Sequence, residues 1–533
     1  MKKAYWRIGE PSVWGTGAAL SITLLIAATL LVVILVNGLG VFWPSELVQV
    51  NLKDGSILLG EVIKREQIPH EDDHRLQFKI ANRDLYGLDF RWVDESDITS
   101  QDRPRDALVL ERQEYGNFFG YLDSLTSGDL VTESVPKGIG RLQAALAEIE
   151  LRHQDVMQIS DNLSAVSYEL EDIRRKLIKA EYQGTRQDAP MVKELLRDQA
   201  VLQDDFSNLL EQQVALEKEL RAYKATLHDA SGQSKIVDLL DIVKVYQPNR
   251  MTFVNKVGFY AGKIYELLFT YPRESNTEGG LFPAIYGTVM LIFIMSLFSF
   301  PFGVISAVYL REYAKEGAIV RFVRIAVNNL AGIPSIVYGI FGLGFFIYGI
   351  GGTIDRIFYP EMLPTPTYGT GGILWASLTL ALLTVPVVIV STEEALGAIP
   401  REIREGSLAL GSTKFQTLVR ILLPMASPGI LTGLILAMAR AAGEVAPLMI
   451  TGVVKLAPAL PLDGNFPFLH LDRKFMHLGF HIYDIGFQSP NVEAAKPMVF
   501  VTTLLLVLIV LTMSSIAIYL RNKMKRRYTF GTF

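Results

Sequence analysis

REIREGSLALGSTKFQTLVRILLP, residues 401–424, follows the uncharged run 362–392 and leads into the apolar run that begins at residue 421, so it is a loop on one face of a membrane. Pro400 suits the start of a helix, where its missing N–H is not needed, and Arg401 to Leu410 reads as a short helix. Gly411 is free to take the left-handed conformation that ends a helix. Thr413, followed three residues later by Gln416, has the spacing of a capping box and starts a second helix. Pro424 is expected to stop or kink that helix before the next apolar span. The product is a helix–glycine–helix finger with a charged outer edge, a shape for docking into another protein.

The rest of the chain supplies the membrane that the finger needs. It has 533 residues, half of them hydrophobic, and a mean hydropathy of +0.27. Uncharged runs cover 11–45, 279–310, 325–354, 362–392 and 497–520, and 421–454 is interrupted only by Arg440 and Glu444. Each exceeds the roughly 20 residues a helix needs to cross a bilayer, which gives six spans. The first, 13–45, is too long for a signal-peptide core and reads as a retained anchor. Lys2, Lys3 and Arg7 in the tail 1–12, Arg311, Lys315, Arg321 and Arg324 in the first inner loop, Arg401, Arg404, Lys414 and Arg420 in the finger, and Arg521, Lys523, Lys525, Arg526 and Arg527 in the tail 521–533 all fall on one side. By the excess of Lys and Arg on cytoplasmic loops, both termini and the loop 392–425 are expected inside, and 46–278 outside. Spans two to six and the loops between them occupy 279–520. Cysteine is absent, which excludes disulfides and cysteine-metal sites, and the net charge of −4 carries no nucleic-acid signal.

The outer segment changes character twice. Val48, Val50 and Leu52 alternate, Asp54-Gly55 marks a hairpin turn, and Ile57, Leu59, Leu76, Phe78 and Ile80 continue the pattern. These predict a small β-module over about 46–134, resuming at 233–250 around Val243 and Val245. Between them Leu142, Ile149, Val156, Leu163, Leu170 and Leu177 recur every seven residues, with Ile159, Val166 and Ile173 as companions. A second series runs from Val192 through Leu195, Leu202, Phe206, Leu209, Leu216, Leu220, Tyr223 and Leu227. Sustained three-four spacing predicts a long antiparallel coiled-coil hairpin over about 139–229. Residues 251–269 read as an amphipathic helix lying on the membrane.

Three chemical motifs were weighed. Gly406 to Lys414 mimics a phosphate-binding loop, but the lysine stands three residues past the second glycine instead of next to it, so no ATPase site follows. His477 and His481 would share a helix face, yet no third ligand is evident and no metal is expected. Arg440 and Glu444 lie near the middle of the fifth span, four residues apart on one helix face. Each costs roughly 2.5–3.5 kcal/mol at mid-membrane on insertion scales, so such charges face a bundle interior or a water-filled path. They are candidates for a translocation path or gate, against a static pair that only orients helices.

Glu405, Gly411, Ile421, Leu423 and Pro424 have the spacing E-x5-G-x9-I-x-L-P, which resembles the EAA loop of ABC-importer permeases, with Gly406 and Ser407 where two alanines are usual. From residue 279 onward the chain resembles the PstA-type permeases of high-affinity phosphate ABC importers. The matching stretches are TEGGLFPAI (277–285), GIPSIVYG (332–339), TVPVV (384–388), TEEAL (392–396), REGSLALGSTKFQT (404–417) and ARAAGEVAPL (439–448). The resemblance implies a mainly α, six-helix type I permease with an inserted periplasmic domain, as in the long form of the family, set in the inner membrane. It implies ATPase coupling through Glu405, Gly406, Ser407, Gly411, Lys414, Ile421, Leu423 and Pro424. It also implies a second permease (PstC-type), two ATPase subunits (PstB-type) that use the ATP, and a periplasmic phosphate-binding protein (PstS-type), with no cofactor held by this chain. Arg can meet phosphate bidentately, and Glu444 beside it would keep the site weak. Three other readings stay open: a permease for another oxyanion, a membrane assembly protein with a periplasmic coiled coil, and an ion-coupled transporter. The second needs two spans where six are counted, and the third has no need of a docking finger.

Overall fold

The structure is a computed structural model that describes residues 10–70, 72–127, 130–132, 138–489 and 491–528; the N-terminal Lys2, Lys3 and Arg7 lie outside them. It divides into two units, Met1–Val41 with Leu268–Tyr271 and Leu281–Phe533, and Phe42–Leu267 with Pro272–Gly280.

In the first unit, six helices among the described residues are long and apolar enough to cross a membrane: Ser12–Gly40, Phe282–Tyr313, Ser335–Phe358, Ile373–Gly397, Lys414–Gly443 and Val492–Lys525. These are spans one to six. Their limits differ from the charge-free runs, for local reasons. Span three does not begin at 325, because Gly332 and Pro334 end a separate amphipathic helix, Ala318–Leu330. Span four does not begin at 362, because Pro364, Pro366 and the glycines up to Gly372 keep 363–372 out of a helix. Span four also runs on through 392–397, which the sequence places in the inner loop. The C-terminal helix continues through 521–528, which the sequence gives to the tail.

Spans four and five approach closely through small residues. Gly429, Gly433, Ala437 and Ala441 recur every four residues along span five, and the two alanines are fully buried. A Cβ at Gly429 would come within 2.5 Å of the Ala395 Cβ, and one at Gly433 would meet the Ser391 hydroxyl. Without a hydrophobic drive between helices in lipid, this backbone proximity is what van der Waals packing needs. The common core contains Leu291, Met295, Tyr338, Leu380, Leu448 and Phe475.

The second unit holds two five-stranded antiparallel arrays. The strands are β1 (Leu47–Leu52), β2 (Ile57–Gln67), β3 (His74–Lys79), β4 (Phe90–Asp94), β5 (Ile98–Asp102), β6 (Leu108–Arg112), β7 (Phe118–Ser127), β8 (Leu130–Thr132), β9 (Tyr223–His228), β10 (Ser234–Asp238) and β11 (Ile242–Tyr246). One sheet has the order β4-β3-β2-β1-β5 and the other β10-β9-β7-β6-β11, with β8 added beside β7. The two orders are the same topology used twice. Short 3-10 turns fill equivalent places, Glu95–Asp97 before β5 and Leu239–Asp241 before β11. Bulges fall at equivalent steps too, Val62/Lys64 with Leu122/Ser124 and Asn51/Leu52 with Ile242/Lys244. Glu61 pairs with Lys79 as Tyr121 pairs with His228. The sequence agrees at VDESDI (93–98) and VDLLDI (237–242), and Gly60 and Gly120 each lie where a Cβ would strike the carbonyl of Lys79 or His228. The expected single β-module is therefore a tandem duplication.

Two long helices, Gly138–Tyr182 and Pro190–Leu220, occupy in the second copy the place of the short β2–β3 connection of the first. They run in opposite directions, since Arg152 near the start of one is 2.8 Å from Glu219 near the end of the other. Of the heptad series, Leu142, Ile149, Val156, Leu163, Ile173, Val192 and Leu220 are buried, and Leu170 and Leu177 are half-buried. Tyr223 and Leu227, assigned by that reading to the second arm, belong instead to β9. Their spacing of four comes from two strand positions facing one side, and the buried Leu227 packs with Leu110, Phe118, Leu142 and Ile149. The first turns of the first arm thus seal the second sheet.

The helix Phe253–Phe269 carries a buried face and an exposed apolar one. Lys263 bonds Glu111 and lies 2.8 Å from Glu266, which is 2.7 Å from Arg273. Burial pushes the Glu266 carboxyl up, but Lys263 and Arg273 outweigh it and hold it below the usual range. Burial raises Glu61 and Glu278 despite Lys79, and the nearby Glu111 adds to the rise. Phe253, Val254, Val257 and Tyr265 remain exposed on the same helix.

Candidate functional site

The finger folds from local rules. Arg401–Ala409 forms its first helix, with Pro400 at the N-cap and not inside the first turn. Gly411 has φ +84°, the left-handed geometry that a side chain resists. Thr413 accepts from the Gln416 N–H at 3.2 Å, and the Gln416 side chain accepts from the Thr413 N–H at 2.9 Å, completing the capping box. The two helices are tied where they meet: the buried hydroxyls of Ser407 and Thr417 lie 2.9 Å apart, and Ser412 N–H donates to Ser407 O at 3.2 Å. Leu396, Ile399, Leu418, Leu422 and Ala426 make the core below it.

Pro424 does not stop the second helix. Leu418–Leu422 form a wide π turn, with the Leu423 N–H bonding Leu418 O five residues back, and the helix continues unbroken to Gly443. The extra residue in that turn gives room for the carbonyl that the proline ring would otherwise strike. The finger and span five are therefore one continuous helix from Lys414.

Of the coupling positions read from the sequence, Glu405, Gly406, Gly411 and Lys414 are exposed, Ile421, Leu423 and Pro424 are half-buried, and Ser407 is buried as the inner tie. Among the large apolar side chains of the tip, Leu410 is the most exposed, at 90%, with Phe415 at 65%. Sequence reading passed over both. The available signal is an apolar residue on each side of a glycine turn at a membrane surface, with nothing of this chain to cover it.

Arg440 and Glu444 do come together, Nε to Oε1 at 3.6 Å, with side chains 34% and 21% exposed. They are not on one helix face. Span five ends at Gly443, and Glu444 is its C-cap with extended backbone (φ −81°, ψ 128°). The cause is Pro447, whose ring would strike the carbonyl of Gly443 and which has no N–H to give it. A short helix, Ala446–Thr451, follows the break. The pair thus sits at the end of an interrupted helix beside Tyr338, whose hydroxyl donates to Leu330 O at 2.8 Å.

His477 and His481 are buried but serve the fold: His477 Nδ1 caps the helix Leu478–Tyr483 by accepting from Gly479 N–H, and burial pushes its pKa down to about 4. Among the described residues no three His, Asp or Glu side chains gather into a metal-binding group.

Residues 299–526, which include the finger and the broken span, match the family described as the binding-protein-dependent transport system inner membrane component. The structure also has a loose likeness to the inward-facing MetNI methionine ABC transporter, with a TM-score of 0.33 at 19% identity over 46% of this chain and 95% of that one. It is the matched segment that defines the class of protein, an inner-membrane permease component. The relatives narrow it. The phosphate transport system permease protein PstA of Mycobacterium leprae is 38% identical over 220 residues, 40% of this chain and 66% of that protein. The probable phosphate transport system permease protein PstA of Methanocaldococcus jannaschii is 34% identical over 234 residues, 43% of this chain and 72% of that one. The probable ABC transporter permease protein YqgI of Bacillus subtilis is 31% identical over 239 residues, 43% of this chain and 74% of that one. The chain belongs to the PstA family of permeases. The match spans about two thirds to three quarters of the length of these relatives, and the duplicated β-unit with its helical arms lies outside residues 299–526.

Proposed function

We propose that this chain is a permease subunit of an ATP-driven importer of inorganic phosphate. The observation that carries the reading is the finger: a capped, tied helix–glycine–helix element inside the family-matched segment, presenting Leu410 and Phe415 to solvent. In this reading it docks into one of two ATPase subunits, which use the ATP, since the glycine-containing stretch here lacks the lysine placement of a phosphate loop. The partner across the path is a second permease, and a periplasmic phosphate-binding protein delivers the substrate. Both termini and the finger are cytoplasmic, as the Lys and Arg distribution requires, and 46–278 is periplasmic. Its two helical arms form an antiparallel coiled coil.

Arg440 and Glu444 line the path in this reading. An interrupted helix frees backbone groups that are tolerated at membrane depth only where protein or a water-filled cavity meets them. The guanidinium offers a planar donor fork to a phosphate, and Glu444, 3.6 Å away, competes for it and favours release.

The test is uptake of radiolabelled phosphate at micromolar concentration in a strain lacking this chain alone. Uptake should vanish, return with the wild-type chain, and stay low with Arg440→Gln at normal membrane level. Unimpaired uptake in the deletion strain, with loss of another oxyanion's uptake instead, would transfer the reading to that ion. Restored transport in the double variant Arg440→Leu with Glu444→Leu would make the pair a structural tie, because removing one partner of a buried pair costs more than removing both.

A further inference from the structure

We infer that Arg404 is a positioning residue that fastens the finger to the inner ends of spans two and four, so that a displacement of the finger is carried to both. The inference rests on the permease reading above. Arg404 stands in the first finger helix, yet its side chain is turned inward and four-fifths covered. Its Nη2 lies 3.1 Å from Glu312 Oε1, and its Nε 3.3 Å from the same oxygen. Glu312 belongs to the π turn Tyr309–Tyr313 that ends span two. The other bonds go to the end of span four and the link that follows it: Nη2 donates to Leu396 O at 2.5 Å in the last turn of span four, and Nη1 to Ile399 O at 2.7 Å just beyond it. Carbonyls in the last turn of a helix lack the usual partner within the helix; Leu396 O accepts from the Ile399 N–H only at 3.4 Å, and Arg404 supplies its shorter bond. A single planar guanidinium therefore joins three elements, which a lysine point charge could not do in one geometry.

The contrast with its neighbours sharpens the assignment. Glu405 and Lys414 on the same finger are exposed, as a docking edge requires, whereas Arg404 has no solvent-facing task. The finger itself is rigid through the Ser407–Thr417 tie and the capping box. A rigid body held to two spans by one multidentate group transmits motion; the same body without that group would move alone.

The chain has no cysteine, so a single introduced thiol is the only one on this chain, and labelling is read on its separated band. Gly443→Cys places one at the break in span five, where a Cβ meets nothing within 4 Å. In the reconstituted complex with its ATPase subunits, maleimide labelling of this thiol is compared with and without ATP plus vanadate, alongside ATP hydrolysis. Arg404→Gln is expected to keep ATP hydrolysis within about threefold of the parent while cutting the ATP-induced change in labelling rate at least tenfold. Glu312→Gln, which leaves the two carbonyl bonds, should give a smaller loss, and the double variant should be no worse than Arg404→Gln. Arg404→Lys should resemble Arg404→Gln. An unchanged ATP-induced response in Arg404→Gln overturns the inference. So does failure of both Arg404→Gln and Glu312→Gln to assemble with the ATPase, which would make the link a folding brace. The readout does not depend on phosphate, so an error about the substrate leaves this test standing.

Discussion

A methyl group added at Gly433 should loosen the whole inner half of the bundle, and the size of the effect follows from what it would meet. A Cβ there would strike the Ser391 hydroxyl and come within 2.8 Å of the Ser391 Cβ. The hydroxyl is not free to swing aside without cost, because it donates to Val387 O at 2.6 Å. Even with the hydroxyl gone, ordinary carbon contact requires roughly 3.5–4.0 Å, so the helices must part by about 1 Å at this level. Overpacking of this kind costs typically 1–3 kcal/mol. Gly433→Ala regains roughly 0.5–1 kcal/mol of helix propensity, so a net loss of about 0–2.5 kcal/mol is expected, and the loss should be larger for Gly433→Val. The decisive variant is the exchange of the two residues. Ser391→Gly removes both clashing atoms, and the next nearest, the Val388 Cα, stands at an ordinary contact distance of 3.7 Å. Alone it should cost about 0.5–1 kcal/mol as a glycine in a helix interior, but combined with Gly433→Ala the two terms offset and stability should return to within about 0.5 kcal/mol of the parent. Thermal unfolding of the detergent-purified chain, followed by helical circular dichroism for all four members of the cycle, measures the coupling. Additive effects, or a Gly433→Val chain as stable as the parent, would refute the claim that spans four and five meet backbone to backbone here.

Gly411→Val should leave the protein in the membrane but abolish uptake, since the left-handed turn costs roughly 1–2 kcal/mol for any residue with a Cβ and more for a branched one; normal uptake would show that the turn is dispensable. Glu405→Lys, on the exposed edge, should weaken co-purification of the ATPase without changing the thermal midpoint, and an unchanged yield of complex would remove Glu405 from the docking surface. Replacing Val156–Leu216 by a short Gly/Ser turn keeps Leu142, Ile149 and Leu220 and should spare both sheets, whereas removal from Leu142 through Leu227 should unfold the second sheet by deleting β9; hydrogen exchange of β6 and β7 separates the two outcomes. Burial and Glu111 raise the Glu61 carboxyl above its unfolded value near 4.5, so its protonation contributes stability that is fully present below that value and is lost as pH rises through the raised one. Glu61→Gln should therefore slow exchange of β2 amides at pH 7 and leave it unchanged at pH 4. Asp84 behaves oppositely: although burial raises it, Arg112 outweighs this and holds its carboxyl low, so its contribution is lost on acidification below about 4.

What could be read from the sequence was whatever a few neighbouring residues decide among themselves. Gly411, Thr413 and Gln416 set the finger by turn and cap chemistry alone, and the structure keeps that geometry. The span limits moved because a charge-free run is a statement about solvation, not about helix: residues 363–372 carry no charge yet hold two prolines and three glycines, while the helix of span five begins at Lys414 and includes Arg420. The duplication escaped notice for the opposite reason. Its two signatures, VDESDI and VDLLDI, lie far apart because the helical arms intrude into only one copy, and the heptad pattern drew Tyr223 and Leu227 into the arm that they border.

Arg440 and Glu444 show why a correct pairing can rest on a mistaken geometry. A spacing of four predicted contact across one helical turn, and the contact exists, but the helix has already ended. Pro447 ends it at Gly443, the backbone of Glu444 turns extended, and the side chain still reaches back 3.6 Å to the guanidinium. The difference bears on function, because a pair within an intact helix would be held by that helix in every state of the protein. A pair that spans a break is held only while the short helix Ala446–Thr451 keeps its place against Gly339 and Gly342 of span three, where Pro447 and Thr451 leave no room for a Cβ. Any motion of span three relative to span five therefore changes the separation of these two charges, and in the path reading proposed above it would change the hold on an anion there.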